Sequence, residues 1–279
     1  MNKVLLEVSF GFAIVFSLIN NLNALILPDG TDAVVKEFKS DKEGKIYEAK
    51  LVKPIDLDTP LGKMTFKETV TFHQNGKIKS GTFSKARTIT TPAGSFKLES
   101  IRFHESGKIR ECHLSSSIEL ETNLGKLKIR SISFYESEKI DLYTFAQPQL
   151  VATPVGELKL LNLSLHESEK IKDCSLSKFQ EFDTPIGKLK FRIISFSENG
   201  KISGGKLSEP RAIVSPEGEL TIDGFILNEN DKIHICYLAK TTIIQDDQYY
   251  KGDIVGFDED DKFLGKMKQD EKSGKWLKN

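Results

Sequence analysis

Apolar and polar residues alternate along most of this chain, and turn-forming residues interrupt the alternation at regular intervals. In GKLKFRIISF (187–196), Leu189 and Phe191 fall on one face while Lys188, Lys190 and Arg192 fall on the other. A period of two is that of a strand with one buried face. Two kinds of breaker recur, about 15 residues apart. Thr-Pro-x-Gly presets a turn through the fixed angle of proline and the freedom of glycine, and Glu-Ser/Asn-Gly-Lys reads as a hairpin turn of the Asn-Gly type. The pattern predicts two strands per repeat, joined by turns at opposite ends.

Laid against itself, the chain shows near copies of one phrase: FHQNGKI, FHESGKI, FYESEKI, LHESEKI, FSENGKI and LNENDKI, whose last residues are Ile78, Ile109, Ile140, Ile171, Ile202 and Ile233, 31 apart. FKSDKEGKI, ending at Ile46, precedes them, and FDEDDKF, ending at Phe263, follows. A period of this length defines an array of supersecondary units. The alternation slips within each unit. Counting from the turn isoleucine, apolar residues sit at minus 13 and minus 11, then at minus 8 and minus 6, as in Leu127, Ile129, Ile132 and Phe134. An odd step breaks a period of two and predicts a bulge near minus 9 or minus 10. The returning strand carries a small residue at plus 3 in most repeats and apolar residues at plus 5 and plus 11.

The fold class is therefore all-β: an elongated antiparallel meander of about seven to eight 31-residue two-strand repeats, with a parallel β-helix as the alternative. In a parallel coil the Glu row would stack as like charges about 4.8 Å apart, which destabilises neighbouring strands. In a meander equivalent residues lie roughly 10 Å apart. A membrane barrel would need an apolar outer band, yet nearly every strand carries Lys, Arg or Glu opposite its apolar set.

The chain has 279 residues, with 40 Lys+Arg against 40 Asp+Glu. Zero net charge removes the counterion-release force that drives nucleic-acid binding, so no nucleic-acid partner is expected. At the amino end, Lys3, the apolar run Val4 to Ile19 and a polar stretch ending at Ala24 have the shape of a secretory signal. The expected organisation is a signal peptide over 1–24, a repeat array over 25–245 and a divergent C-terminal repeat or cap over 246–279. Export places the mature chain in the periplasm, on the cell surface or outside the cell, with no integral membrane span after cleavage.

The phrase aromatic-x-Glu-Asn/Ser-Gly-Lys-Ile, carried by Phe72 to Ile78, Phe103 to Ile109 and Phe196 to Ile202, resembles the MORN-like repeats of many bacterial proteins, including a group described as antitoxins. The resemblance implies β-hairpins stacked side by side and an interaction role. The period of 31 and the Thr-Pro-x-Gly turn depart from that family's pattern.

Candidate chemistry is sparse. Cys112, Cys174 and Cys236 share the plus 3 position, two repeats apart, and are expected to be small buried side chains too distant for a disulfide. His73, His104 and His166 share the minus 5 position and read as solvated turn residues, too dispersed for a zinc site. Acidic turns lack the calcium loop pattern, with weak calcium binding placed at Asp258 to Asp261. No nucleophile elbow or phosphate loop is present, and the one stretch where an enzyme site would be sought is Tyr249 to Asp261. The expectation is a non-enzymatic binding or scaffolding protein with no cofactor and no metal, whose partner is a protein or a cell-envelope component. An outer-membrane or membrane-associated β structure is the alternative, and an enzyme with a site in the divergent C-terminal repeat the second. The candidate interaction edge is the row Lys77, Lys108, Lys139, Lys170, Lys201 and Lys232, with Glu105, Glu136, Glu167, Glu198 and Glu229.

Overall fold

The computed structural model describes residues 23–270 and 275–279, so the signal expected over 1–24 lies almost wholly outside the described residues. Contacts divide the chain into two compact units. One comprises the described residues up to Ile118 with Arg130–Ile140, and the other Glu119–Ile129 with Asp141–Asn279. Strands make up both, and among the described residues there is no helix.

In the first unit the strands Asp32–Ser40, Ile46–Leu51, Gly62–Phe72, Ile78–Thr91 and Gly94–Phe103 pair antiparallel in succession. Gly156–Leu165, Ile171–Thr184, Gly187–Phe196, Ile202–Ser215, Gly218–Leu227 and Ile233–Leu238 do the same in the second. This antiparallel meander excludes the parallel β-helix that the same repeat allowed.

The bulge falls where the slipped alternation places it. Phe191 pairs with Leu207 and Ile193 with Lys206, which leaves Arg192 as the extra residue at minus 10. Glu99, Leu161 and Asp223 occupy the same place in their strands. At this level the returning strand also leaves its register: Thr82 pairs with Ser100, but the next partner of Leu98 is Arg87. Each repeat is thereby split into a half that is hydrogen-bonded to neighbours on both sides and a two-stranded ribbon ending in the Thr-Pro-x-Gly turn.

The ribbon folds back over the sheet half. A straight 11-residue strand such as Gly62–Phe72 would put its two end turns roughly 36 Å apart. Instead Pro60, in the turn before that strand, lies beside Gly107, where an added Cβ would meet Pro60 Cγ at 3.0 Å. Asn75, in the turn after the strand, is also a neighbour of that Gly107 turn, since its Nδ2 donates to Glu105 O at 3.4 Å. Pro154 against Gly200 repeats the arrangement in the second unit. The two turn types thus meet in space. They are at opposite ends of the strand only along the chain.

Folding back buries one face of each half against the other. Leu98, Ile101 and Phe103 in the first unit, and Phe191, Ile194 and Phe196 in the second, are at most 1% exposed. These are the minus 11, minus 8 and minus 6 rows. Each such side chain contributes on the order of 2 kcal/mol through removal from water.

The Glu-Ser/Asn-Gly-Lys turns are not two-residue Asn-Gly hairpins. His104 N donates to Lys108 O and Gly107 N to His104 O, at 2.9 and 3.0 Å. This is a four-residue turn closed by a residue in the left-handed region, here Gly107 at φ 98°. The weak first and last copies use the same bonds, Gly44 N to Asp41 O and Asp261 N to Asp258 O.

Two boundaries gain detail. Asn23 and Ala24 pair with Val35 and Val34 in the strand Asn23–Ile26, so the expected cleavage point lies inside the first strand. Near residue 245 a small hairpin, Thr242–Ile244 with Asp247–Tyr249, interrupts the meander. The meander then resumes, Ile254–Phe257 pairing back onto Ile233–Leu238.

Candidate interaction edge

All eleven lysines and glutamates of the proposed row lie exposed in the turns. The turns are laced to one another within each unit. In the first, Lys108 Nζ donates to Glu136 O at 2.9 Å and stands 3.5 Å from Glu138 Oε2, while Ser106 Oγ donates to Glu136 Oε2 at 2.8 Å. In the second, Lys170 Nζ donates to Glu198 O at 2.8 Å, Lys201 Nζ to Asp231 Oδ2 at 3.1 Å, and Lys232 Nζ to Asp261 Oδ2 at 2.7 Å. Each of these lysines reaches forward by one repeat. At Lys108, Lys170, Lys201 and Lys232 the candidate edge is therefore bonded from one turn to the next.

Histidines form the second rail of this ladder. His73 Nε2 lies 3.0 Å from Phe103 O, His104 Nε2 2.9 Å from Phe134 O, and His166 Nε2 2.9 Å from Phe196 O. A carbonyl only accepts, so Nε2 carries the proton in each. These rings are half-buried and not the solvated turn residues that sequence reading makes them. Their shared minus 5 position is the signal that could have identified them, because a polar ring repeating beside a turn can satisfy the next turn's backbone.

The acidic residues at minus 2 were also missed. Glu138, Asp231 and Asp261 hold φ of 68°, 61° and 65° where Gly76, Gly107 and Gly200 stand in other repeats. Each is the carboxylate met by the preceding turn's lysine.

The remaining candidates are occupied with structure. Cys112, Cys174 and Cys236 are free and buried, and burial pushes each thiol up to about 12, far from the thiolate a nucleophile needs. Asp258 Oδ1 accepts from Asp260 N and Lys262 N at 3.0 and 2.8 Å, capping its own turn. In the stretch Tyr249 to Asp261, the Tyr249 ring stands edge-on to Phe263 and Asp253 is hydrogen-bonded by Lys266, which holds its carboxyl below the usual range. Among the described residues no three or more His, Cys, Asp or Glu side chains are grouped to hold a metal ion. Compared with known proteins, the chain matches no family model and no curated protein.

Proposed function

We propose that the chain is an exported, non-enzymatic repeat protein that acts as a binding or scaffolding surface for a protein or cell-envelope component. The observation that supports this most is the regularity of the turn edge: an exposed Lys returns in every repeat, and Lys108, Lys170, Lys201 and Lys232 each bond forward to the next turn. Pairing leaves these cations open to a partner, since the side chains of Lys108, Lys201 and Lys232 remain 44%, 63% and 43% exposed. Exposed pairs contribute well under about 1 kcal/mol each, so contact with a partner carries a small energetic penalty at any one turn. Many weak contacts at fixed spacing then add up through avidity. The MORN-like turn phrase fits the same reading, as does the signal-like segment 1–24.

The test is graded. The full chain is used as bait against a solubilised cell-envelope fraction, alongside variants carrying Lys77→Glu, then Lys77→Glu with Lys170→Glu, then both with Lys108→Glu and Lys201→Glu. Recovery of the partner should fall stepwise. Unchanged recovery in the fourfold variant, or complete loss from a single substitution, would remove the edge as the binding surface. Extraction separates the membrane alternative, because release by a salt wash contradicts an embedded barrel.

A further inference from the structure

The repeat pattern also breaks in the returning strand Ile202–Ser215 of the second unit. Two residues after the turn isoleucine, where other repeats carry Ser80, Glu111, Leu142 and Asp173, stands Gly204. Gly205 follows it, and Gly224 pairs with Lys206 on the adjoining strand. A Cβ on Gly204, Gly205 or Gly224 would lie 2.2, 2.1 or 2.8 Å from a backbone oxygen of the neighbouring strand. The strands approach here more closely than any side chain permits. Beside them opens a cleft of about 510 Å³, within the roughly 300–1,000 Å³ typical of small-ligand sites.

Two unlike groups of side chains line this cleft. One is Tyr237, paired with Gly224, its ring 6.1 Å from that of Trp276 at 81°, with Lys206 Nζ 5.8 Å from the Tyr237 ring. Trp276 arrives on the last strand, through its pairing with Gln269. The other is Asp173, which accepts hydrogen bonds from Ser164 Oγ at 3.0 Å and from Ser195 Oγ, one on each flanking strand. A carboxylate offers about four lone-pair sites, so the two serines orient Asp173 without exhausting it.

Aromatic rings in one cleft with a fixed carboxylate and serine hydroxyls match the mixed chemistry of a sugar, whose C–H face packs on a ring while its hydroxyls donate to oxygen acceptors. The strands beneath the cleft are hydrogen-bonded on both sides, so an extended peptide has no sheet edge to join. We infer that this cleft binds a short oligosaccharide, with Trp276 as the stacking platform, Asp173 as the hydroxyl acceptor and Lys206 as a donor. The inference is independent of the turn edge, from which these residues are distinct.

Trp276 is the only tryptophan of the chain, so its fluorescence reports on the cleft directly. The full chain is titrated to millimolar concentrations of cellotetraose, chitotetraose and trigalacturonic acid. A saturable shift or quench with at least one of them is expected, and no response to any of the three overturns the proposal. By calorimetry with the responding sugar, Trp276→Ala and Asp173→Asn should each weaken binding about tenfold or more. Wild-type affinity in both variants also overturns it. Should Trp276→Ala fail to fold, Asp173→Asn, which keeps the size of the side chain, decides alone. The fourfold edge variant should retain full sugar affinity, so failure of the edge reading and failure of this one are told apart.

Discussion

Lys201 Nζ lies 3.1 Å from Oδ2 of Asp231, and Asp231 is held at φ 61°, a conformation that its counterpart Gly200 reaches without penalty. The two facts oppose one another energetically. A non-glycine residue in the left-handed region costs on the order of 1 kcal/mol, and an exposed ion pair returns about 0.2–1 kcal/mol. Asp231→Gly should therefore change stability by less than about 1 kcal/mol. Asp231→Ala keeps the strain and loses the pair, and should cost about 0.2–1 kcal/mol. Urea unfolding of the two variants side by side checks the sign. Equal losses in the two variants would mean that the pair, which both remove, and not the backbone, controls the turn.

Glycines of the two turn families and of the sheet should behave differently when substituted. At Gly187, in a Thr-Pro-x-Gly turn with φ 107°, an added Cβ meets nothing within 4 Å. At Gly205, φ is 142° and the Cβ would lie 2.1 Å from Ile193 O. Gly187→Ala should cost about 1–3 kcal/mol of backbone strain. Gly205→Ala adds a collision with backbone that cannot rotate away, and should exceed about 4 kcal/mol or prevent folding. Thermal melts of the two variants give the comparison.

Much of this architecture was legible because it is local and repeated. The turn isoleucines, the apolar rows at minus 11 and minus 6 and the bulge at minus 10 each follow from a period of two, and six copies average out the irregularities of any one. The fold-back of the ribbons was not legible, because nothing in one strand says how far its end turn travels. Contacts between the two turn types, Pro60 with Gly107 and Pro154 with Gly200, reveal it. The histidine rail was misread for a related reason: a turn residue looks solvated until the next turn is stacked on it. The cleft beside Gly205 was not legible because the departures that build it, Gly204 and the lone Trp276, lie 72 residues apart in sequence.

Acid should weaken the first unit through Glu111. Its Oε1 lies 3.0 Å from His113 Nε2 and its Oε2 3.2 Å from Arg102. The hydrogen bond from His113, assisted by the nearby positive charges, lowers its carboxyl from 4.5 despite partial burial. A carboxyl whose folded value lies below its unfolded one contributes stability above the unfolded value and loses it as pH falls through the folded value. The contribution should thus be complete at neutral pH and vanish in the acid range below about 4.3. Glu111→Gln should be less stable than the parent near pH 7 by up to about 1 kcal/mol. That gap should close on acidification, and denaturant midpoints measured across the range test it. A gap that widens in acid would reverse the sign assigned here.

Repeat arrays gain stability from each unit and from its interface with the next, and the register of this one makes the unit 31 residues. Removing 157–187 joins Gly156 to Lys188, which replaces one Thr-Pro-x-Gly exit by its equivalent. Strand direction, bulge position and the faces of all later residues are preserved, so the shortened chain should fold with the strand-rich circular dichroism of the parent. Its sugar cleft, which needs Asp173 and Ser164, should be lost. Removing only 157–171 joins the same turn at Lys172 to what remains of a returning strand, Ile171–Thr184. Every later strand would then have to run opposite to its present direction, with its apolar rows meeting the wrong partners at the junction. That chain should be unfolded or aggregated at the concentration where the longer deletion is monomeric. Equal behaviour of the two would show that a single strand, and not the folded-back pair, is the unit of the array.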